Sequence, residues 1–165
     1  MAAWKVLLTD GLEENGQAIL RECAELSNRT GISADELLQV IGEYDALIVR
    51  GRTKVTPAVM DAARNLKVVG RAGVGVDNVD VKEATKRGIT VVNAPQSNVL
   101  TAAEHTVALM MACARNIPQA HCDLKAGRWE KGKWGKGGVE LQDKVLGIIG
   151  LGRIGFLVAE RGRGL

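Results

Sequence analysis

The chain has 165 residues, enough for one large domain or for one small domain and part of another. Its apolar fraction of 46% and charged fraction of 25% are typical of a globular protein, and no apolar run reaches the roughly 18 residues of a membrane span. The net charge of +3 is too small to indicate a nucleic-acid-binding protein, so we expect neither nucleic acid nor a membrane as a partner.

Short apolar runs alternate with amphipathic segments through the first part of the sequence. The runs predict five strands, at 4–9, 25–28, 46–49, 67–70 and 89–92. The segments between them predict helices at 12–24, 33–41, 56–64 and 79–87. Strands that alternate with helices form a parallel sheet covered on both faces. The sequence therefore predicts an α/β fold, with a flavodoxin-like five-stranded domain at residues 1–97.

Local signals mark the ends of three of these helices. Ser33 and Glu36 match a capping box, in which the serine caps the helix and the glutamate reaches back to the cap. Thr56 followed by Pro57 places an N-cap and a first-turn proline at the start of another helix. Gly88 suits the position just after a helix, where the backbone is often left-handed.

The alternation breaks at 93–98, where we place a domain boundary. Thr101 and Glu104 form a second capping-box pattern, which opens a long helix to about Ile117. Apolar side chains occupy more than one face of this helix. We therefore expect it to be covered on several sides, by its own domain, the other domain or another subunit.

The segment after the long helix is less regular. Residues 119–126 predict a helix that is stopped by Gly127, and residues 128–138 predict a basic, glycine-rich connecting loop. The three cysteines of the chain are Cys23, Cys113 and Cys122. Their odd number and their spacing favour reduced thiols in a cytoplasmic protein and no metal site.

A glycine-rich turn follows near the end of the sequence. Residues 145–149 form an apolar run typical of a strand buried on both faces, and residues 156–160 predict a helix. Between them, Gly150 permits a tight turn, Gly152 lets the backbone approach a pyrophosphate, and Gly155 lets the helix pack close to the strand. A strand before and a helix after favour a dinucleotide site over a plain glycine-rich turn.

This dinucleotide-binding fold is expected to be incomplete. It needs an acidic residue about 20 positions beyond the glycines to hold the ribose. The sequence ends at Leu165, ten residues after Gly155. We therefore expect residues 98–165 to be the opening βα portion of a Rossmann domain, and the chain to be the front part of a larger enzyme.

Five strings occur in a fixed order: R-G-R-T-K-V-T (50–56), V-G-R-A-G-V-G-V-D-N-V-D (69–80), V-N-A-P (92–95), N-V-L-T-A-A-E-H-T-V-A-L-M-M-A (98–112) and G-I-I-G-L-G-R-I-G (147–155). Together they resemble the D-isomer-specific 2-hydroxyacid dehydrogenases, and most closely those that oxidise D-3-phosphoglycerate with NAD in serine biosynthesis. The resemblance implies a flavodoxin-like substrate domain, a Rossmann domain that binds NAD, and an active site in the cleft between them.

Two arginines are the main candidates for substrate binding. Arg50 and Arg71 lie at the C-terminal ends of predicted strands, where ligands bind such sheets, and arginine suits phosphate or carboxylate. The resemblance implies that basic residues here face the substrate phosphate, with Thr53 and Lys54 in the same neighbourhood. The alternative for either arginine is a surface ion pair.

The resemblance also implies two sets of backbone contacts. Gly73, Val74 and Gly75 would present N–H groups to the substrate carboxylate, as an anion nest. The pyrophosphate of NAD would lie against the glycine turn, at Gly150, Gly152, Arg153, Ile154 and Gly155.

No catalytic residue is assigned in this sequence. The resemblance implies that the catalytic Arg, Glu and His lie beyond Leu165, so the chain by itself is expected to be inactive. Asn93 and Glu104 look hinge-related and structural. His105 is expected to be a packing or interface residue on the long helix, and His121 has less to indicate a function.

Two alternatives remain open. One is another D-2-hydroxyacid dehydrogenase, of the hydroxypyruvate/glyoxylate or D-lactate type. The other is a non-catalytic binding or dimerisation module that uses the apolar helix at 101–117. The expected partner is a small-molecule substrate, a phosphorylated 2-hydroxy acid, and the full-length enzyme is expected to be a homo-oligomer.

Overall fold

The computed structural model describes residues 3–165 and divides the chain into two units, Met1–Ser97 and Asn98–Leu165. The strands of the first unit are β1 (Trp4–Leu8), β2 (Ala24–Asn28), β3 (Ala46–Val49), β4 (Val68–Arg71) and β5 (Thr90–Asn93). Its helices are α1 (Glu14–Arg21), α2 (Ala34–Val40), α3 (Pro57–Ala62) and α4 (Val81–Lys86), with a short 3-10 turn at Ile41–Glu43. The second unit contains α5 (Val99–Ala114), α6 (Ile117–Lys125), α7 (Lys131–Lys136) and α8 (Arg153–Gly162).

The five strands form one parallel sheet in the order β2-β1-β3-β4-β5. This is the flavodoxin-like order, so the predicted fold of the first unit is confirmed. The sheet core consists of fully buried residues from three neighbouring strands, Leu7, Leu47, Val49 and Val69. They pack with residues of α2, α3 and α4, whose apolar sides cover that face of the sheet.

The predicted coverage of both faces of the sheet does not extend to β5. Val92 on this strand is 49% exposed. The strand lies at the edge of the sheet and pairs with β4 on one side only. An edge strand has fewer neighbours than a central one, so the predicted cover on both faces of the sheet is incomplete at β5.

Local caps form as predicted at two helices of the first unit. At α2, the Glu36 amide donates to Ser33 Oγ at 3.2 Å, and the Ser33 amide donates to Glu36 Oε2 at 3.0 Å. At α3, Thr56 Oγ1 accepts from the Val59 amide at 3.4 Å. Each cap joins residues three positions apart and therefore needs only local sequence to form.

The second capping-box prediction is wrong. The long helix α5 begins at Val99, two residues before Thr101, and its N-cap is Asn98. Thr101 is therefore already inside the first turn, where its hydroxyl cannot act as the cap. The pattern of Thr101 and Glu104 is the same as that at the start of α2, but here the two residues before the threonine are already helical, so the helix starts earlier.

Helix α5 packs against α8 in the second unit, with Ala103 and Val158 buried. Elsewhere α5 is open, since Leu100 is 52% and Leu109 is 51% exposed. Cover on several sides is therefore absent within the described part of the chain. In that part, no helix combines the length and apolar character that a membrane crossing requires.

The helix α7 occupies part of the segment that was predicted to be a connecting loop. It is joined to α6 by Asp123, whose carboxylate accepts from Arg128 Nε at 3.0 Å and from Trp134 Nε1 at 2.8 Å. Lys133 Nζ lies 3.7 Å from the same carboxylate. Hydrogen bonds from Arg128 and then Trp134 lower the pKa of Asp123, so the carboxylate stays ionised at neutral pH.

The predicted strand at 145–149 is wrong. No strand is formed there, and the side chains of Val145 and Ile149 are fully exposed. A strand exists only through hydrogen bonds to a neighbouring strand, and this segment has none among residues 3–165. The helix expected after the glycines does form, as α8.

Candidate functional site

Three strands of the first unit end side by side at one edge of the sheet. Val49 of β3 lies opposite Arg71 of β4, and Arg71 lies opposite Asn93 of β5. Arg50 follows Val49 directly. Because neighbouring strands are about 4.8 Å apart, Arg50, Arg71 and Asn93 come together at the carboxyl edge, where parallel sheets bind ligands.

The cations at this edge are not paired with any acidic side chain that the structure describes. In the part of the chain that the structure describes, the side chains of Arg50, Lys54 and Arg71 form no ion pair within 4.0 Å. Arg50 and Lys54 are exposed, and Arg71 is half-buried. The alternative of a surface ion pair is therefore not realised for either arginine, and their positive charges are available to a ligand.

A buried carboxylate, which the sequence analysis does not single out, organises the loop after β3. Asp10 Oδ2 accepts from the amides of Arg50 at 2.8 Å, Arg52 at 3.1 Å and Thr53 at 2.9 Å, and Asp10 Oδ1 accepts from the Thr53 hydroxyl. Burial by itself would raise the pKa of Asp10, but these hydrogen bonds outweigh it and the pKa lies below its usual value.

Asn78 holds the same loop from its carbonyl side. Its amide Nδ2 donates to the Arg50 carbonyl at 3.0 Å and to the Thr53 carbonyl at 2.7 Å. The amide and the hydroxyl of Thr53 both donate to Asp10, so the polar groups of Thr53 stabilise the loop itself. Thr53 thus lies in the same loop as Arg50, and its contact with substrate stays a prediction.

The loop after β4 brings together the residues of the predicted anion nest. The Gly73 amide donates to the Arg71 carbonyl at 2.8 Å, so this N–H is already used. The amides of Val74 and Gly75 make no hydrogen bond to described residues. Asn93 Nδ2 donates to the Val74 carbonyl at 2.6 Å and ties the loop to β5. Two of the three predicted N–H groups are therefore free to meet an anion.

The glycine turn of the second unit has the backbone geometry that its motif predicts. Gly150 has φ +91°, a left-handed conformation that suits glycine. A Cβ on Gly155 would lie 2.1 Å from the Gly150 carbonyl oxygen, so the helix approaches the turn closely there. Gly152 is the N-cap of α8 and has open space where a Cβ would be. Arg153 and Ile154 form the first turn of α8, beside this open space.

The remaining sequence-predicted residues are not gathered into either site. Glu104 of α5 forms an ion pair with Arg161 of α8 at 3.7 Å, which is a structural contact. His105 is exposed on α5. His121 lines an open cavity of about 480 Å³ between α6 and α7. No group of His, Cys, Asp or Glu with metal-binding geometry is found among residues 3–165.

The chain belongs to the family of D-isomer specific 2-hydroxyacid dehydrogenases, whose catalytic-domain profile matches residues 6–157. It is therefore related to NAD-dependent oxidoreductases that act on small molecules. It is 49% identical over 162 residues to D-3-phosphoglycerate dehydrogenase of Archaeoglobus fulgidus, covering 98% of this chain and 30% of that protein. With D-3-phosphoglycerate dehydrogenase of Methanocaldococcus jannaschii the identity is 51% over 159 residues, covering 96% and 30%. The chain thus spans about 30% of the length of these relatives.

Solved protein structures also resemble this chain. A protein from Thermus thermophilus superposes with a TM-score of 0.88 at 33% identity, over 97% of this chain and 53% of that one. An NAD-dependent formate dehydrogenase from Staphylococcus aureus, solved in complex with NAD, superposes with a TM-score of 0.81 at 31% identity, over 95% and 52%. Both support the α/β architecture predicted from the sequence.

Proposed function

We propose that this chain supplies the substrate-binding unit and the start of the NAD-binding unit of a D-3-phosphoglycerate dehydrogenase. The reaction oxidises D-3-phosphoglycerate to 3-phosphohydroxypyruvate and reduces NAD to NADH. The observation that carries the proposal is a set of cations at the carboxyl edge of the sheet, Arg50, Lys54 and Arg71, that have no acidic partner among residues 3–165.

Each part of the substrate meets a chemically suitable group at this edge. A phosphate monoester carries about −1.5 to −2 charge at pH 7, and Arg50, Lys54 and Arg71 together offer three positive charges. Arginine can bind phosphate oxygens through two parallel N–H donors. The free amides of Val74 and Gly75 suit the substrate carboxylate.

The glycine turn is proposed to hold the pyrophosphate of NAD through Gly150, Gly152, Arg153, Ile154 and Gly155. Open space at Gly152 is what a pyrophosphate would need to reach the backbone. We propose that the cofactor site is incomplete in this chain and that the catalytic Arg, Glu and His are supplied by sequence outside it. The exposed segment 145–149 and the 30% coverage of the relatives support both statements.

The complete enzyme is proposed to be a homo-oligomer in the cytoplasm. Exposed apolar side chains on α5, such as Leu100 and Leu109, would gain from contact with a second subunit. Three exposed cysteines without disulfides among the described residues are compatible with a reducing compartment.

The alternative of a dehydrogenase for unphosphorylated acids fits the edge less well. A single carboxylate carries one negative charge, and it would leave two of the three cations unpaired next to the ligand. A phosphorylated acid balances the site more closely, which is why we favour it.

A chimaera tests this proposal in a complete enzyme. The matching part of the Archaeoglobus fulgidus relative is replaced by this chain, and NADH formation is followed with D-3-phosphoglycerate, D-glycerate and D-lactate. We expect turnover of D-3-phosphoglycerate, with a KM raised about tenfold by Arg50→Gln. Arg64→Gln is the matched control, since Arg64 is exposed, forms no ion pair among the described residues and precedes β4 at the opposite edge.

Preference of the folded chimaera for D-lactate or D-glycerate would contradict the proposal and favour the alternative dehydrogenases. Equal effects of the Arg50 and Arg64 substitutions would also contradict it, because only Arg50 lies at the proposed phosphate site. The unmodified relative provides the reference rates.

A further inference from the structure

The loop 50–53, which carries Arg50, is held by two side chains from other parts of the sequence. One binds the backbone amides of the loop and the other binds its carbonyls. The amides of Arg50 and Thr53 donate to Asp10 at 2.8 and 2.9 Å. The carbonyls of the same two residues accept from Asn78 Nδ2 at 3.0 and 2.7 Å. All four backbone polar groups of Arg50 and Thr53 are therefore fixed by two side chains.

These contacts join parts of the chain that are distant in sequence. Asp10 follows β1, the loop follows β3, and Asn78 lies just before Val79. Val79 is buried and forms an isolated bridge with Val55, immediately after the loop. The holding groups are thus attached to the end of β1 and to the buried bridge of Val55 and Val79, so they can fix the loop relative to the sheet.

The carboxylate of Asp10 is an unusual neighbour for an anion site. Its side chain is only 2% exposed, and a buried charge is costly unless hydrogen bonds or a counter-ion compensate it. Three backbone amides and one hydroxyl provide the hydrogen bonds. Arg52 provides the counter-ion, with Nε 3.5 Å from Asp10 Oδ1 and Nη2 donating to the Thr9 carbonyl at 2.8 Å.

The basic residues of this loop therefore have separate tasks. Arg52 is occupied with Asp10 and Thr9, and its charge is largely balanced there. Arg50 and Lys54 have no such partner in the described part of the chain. The negative charge of Asp10 is thus neutralised locally and does not cancel the cations that face a ligand.

We propose that Asp10 and Asn78 are positioning residues, which hold the loop 50–53 in the conformation that presents Arg50 and Lys54 to the substrate phosphate. They touch the loop backbone and act on the ligand only through it. The identity of the ligand rests on the function proposed above, whereas the holding of the loop does not depend on it.

Variants of Asp10 separate positioning from charge. Asp10→Ala removes every acceptor, whereas Asp10→Asn keeps one oxygen for the amides of Arg50, Arg52 and Thr53 and removes the charge. We expect Asp10→Ala to speed hydrogen exchange of these three amides about tenfold or more and to weaken D-3-phosphoglycerate binding about tenfold. Asp10→Asn should restore slow exchange and wild-type binding, because it keeps an acceptor for the loop amides and the charge that it removes is already balanced by Arg52.

Two further variants complete the test. Asn78→Ala removes the donors to the carbonyls, and it should weaken binding as Asp10→Ala does even if the latter folds poorly. Asp77→Ala is the matched charge control, because Asp77 is an exposed carboxylate next to Asn78 in sequence and makes no hydrogen bond to the loop 50–53. It should leave amide exchange in the loop unchanged.

The measurements are NMR hydrogen exchange and titration of the full chain with D-3-phosphoglycerate, with inorganic phosphate as a second probe. Unchanged exchange in both Asp10→Ala and Asn78→Ala would overturn the inference. So would Asp10→Asn behaving like Asp10→Ala in exchange and binding. If the loop loosens as expected but the wild-type chain binds neither probe, the holding role is supported and the proposed function is contradicted.

Discussion

Arg71 and Gly73 are packed so closely that a Cβ on Gly73 would come within 1.7 Å of the Arg71 Nη1 atom. The guanidinium crosses the backbone of the loop at a position where only glycine leaves room. Gly73 also has φ +156°, which a side chain rarely adopts. Arg71 Nε is buried there without a hydrogen-bond partner among the described residues. The orientation of this arginine therefore depends on the absence of a side chain two residues later.

Gly73→Ala should displace the Arg71 guanidinium and weaken anion binding. The new methyl group cannot share the space of Nη1, and the flexible arginine side chain will move before the backbone does. We expect affinity for D-3-phosphoglycerate to fall about tenfold and the free energy of unfolding to fall by about 1–3 kcal/mol from backbone strain. Isothermal titration and urea unfolding measure the two effects.

Gly51→Ala is the control for this substitution. Gly51 has no atom within 4 Å of its Cβ position and does not have a left-handed φ. It should change binding and stability little. Equal affinities of the Gly73→Ala variant and the wild type would show that Arg71 does not need its present orientation.

The glycines of the second unit are predicted to differ in their effect on stability. A Cβ on Gly155 would lie 2.1 Å from a backbone oxygen, which cannot move aside easily. Gly155→Ala should therefore lower the free energy of unfolding of this unit by about 1–3 kcal/mol. Gly152→Ala, with open space around it, should cost less than about 1 kcal/mol as an N-cap change. Fluorescence of Trp129 and Trp134 in a Trp4→Phe background reports on this unit during urea unfolding, and the reverse order of the two effects would contradict the geometry.

Local signals explain which parts of the structure could be predicted from sequence. The cap joining Ser33 to Glu36 and the left-handed Gly88 need only neighbouring residues, and both were predicted. The contact of Asp10 with Thr53 spans 43 positions, and no pattern in one sequence pairs residues so far apart. Asp10 could be recognised beforehand only as an acidic residue directly after a strand.

At 145–149 the sequence predicted a strand that the structure does not contain. The apolar composition of this segment is typical of a strand buried in a parallel sheet, but the segment forms no strand and its side chains at Val145 and Ile149 are exposed. Composition cannot provide the neighbouring strand with which it must pair, and none is present among the described residues. The glycine turn forms without it, because the helix α8 and the left-handed Gly150 are specified locally.

Hydrogen exchange should divide the chain along these lines. Amides near Val6, Ile48 and Val69 lie in the central strands of the sheet and should exchange slowest. Amides of 145–149 should exchange fastest, since this segment has no strand partner and exposed side chains. Mass-spectrometric exchange on the purified chain tests this. Equal protection of 145–149 and the central strands would contradict the structure.

The contribution of Asp10 to stability should depend on pH in one direction. Its pKa is lowered on folding, so the stabilisation is fully present above the ordinary value of 3.8 and is lost as the pH falls through the folded value. The difference in unfolding free energy between the wild type and Asp10→Asn should be constant from about pH 8 to about pH 5 and shrink below about pH 4. Urea unfolding at several pH values measures it. A difference that grows as the pH falls would mean that the pKa of Asp10 is raised on folding instead.

Phosphate recognition at the carboxyl edge of the first unit is proposed to depend on Arg50, Lys54 and Arg71. Its most direct test is an NMR titration of the chain with D-3-phosphoglycerate and with D-glycerate, which differ only in the phosphate. We predict that D-3-phosphoglycerate shifts the amide resonances of residues 50–54 and 71–75, and that it binds at least tenfold more tightly than D-glycerate. Arg50→Gln should remove this difference in affinity, whereas Arg64→Gln should keep it. Equal affinity for the two acids, or shifts confined to other residues, would contradict this proposal.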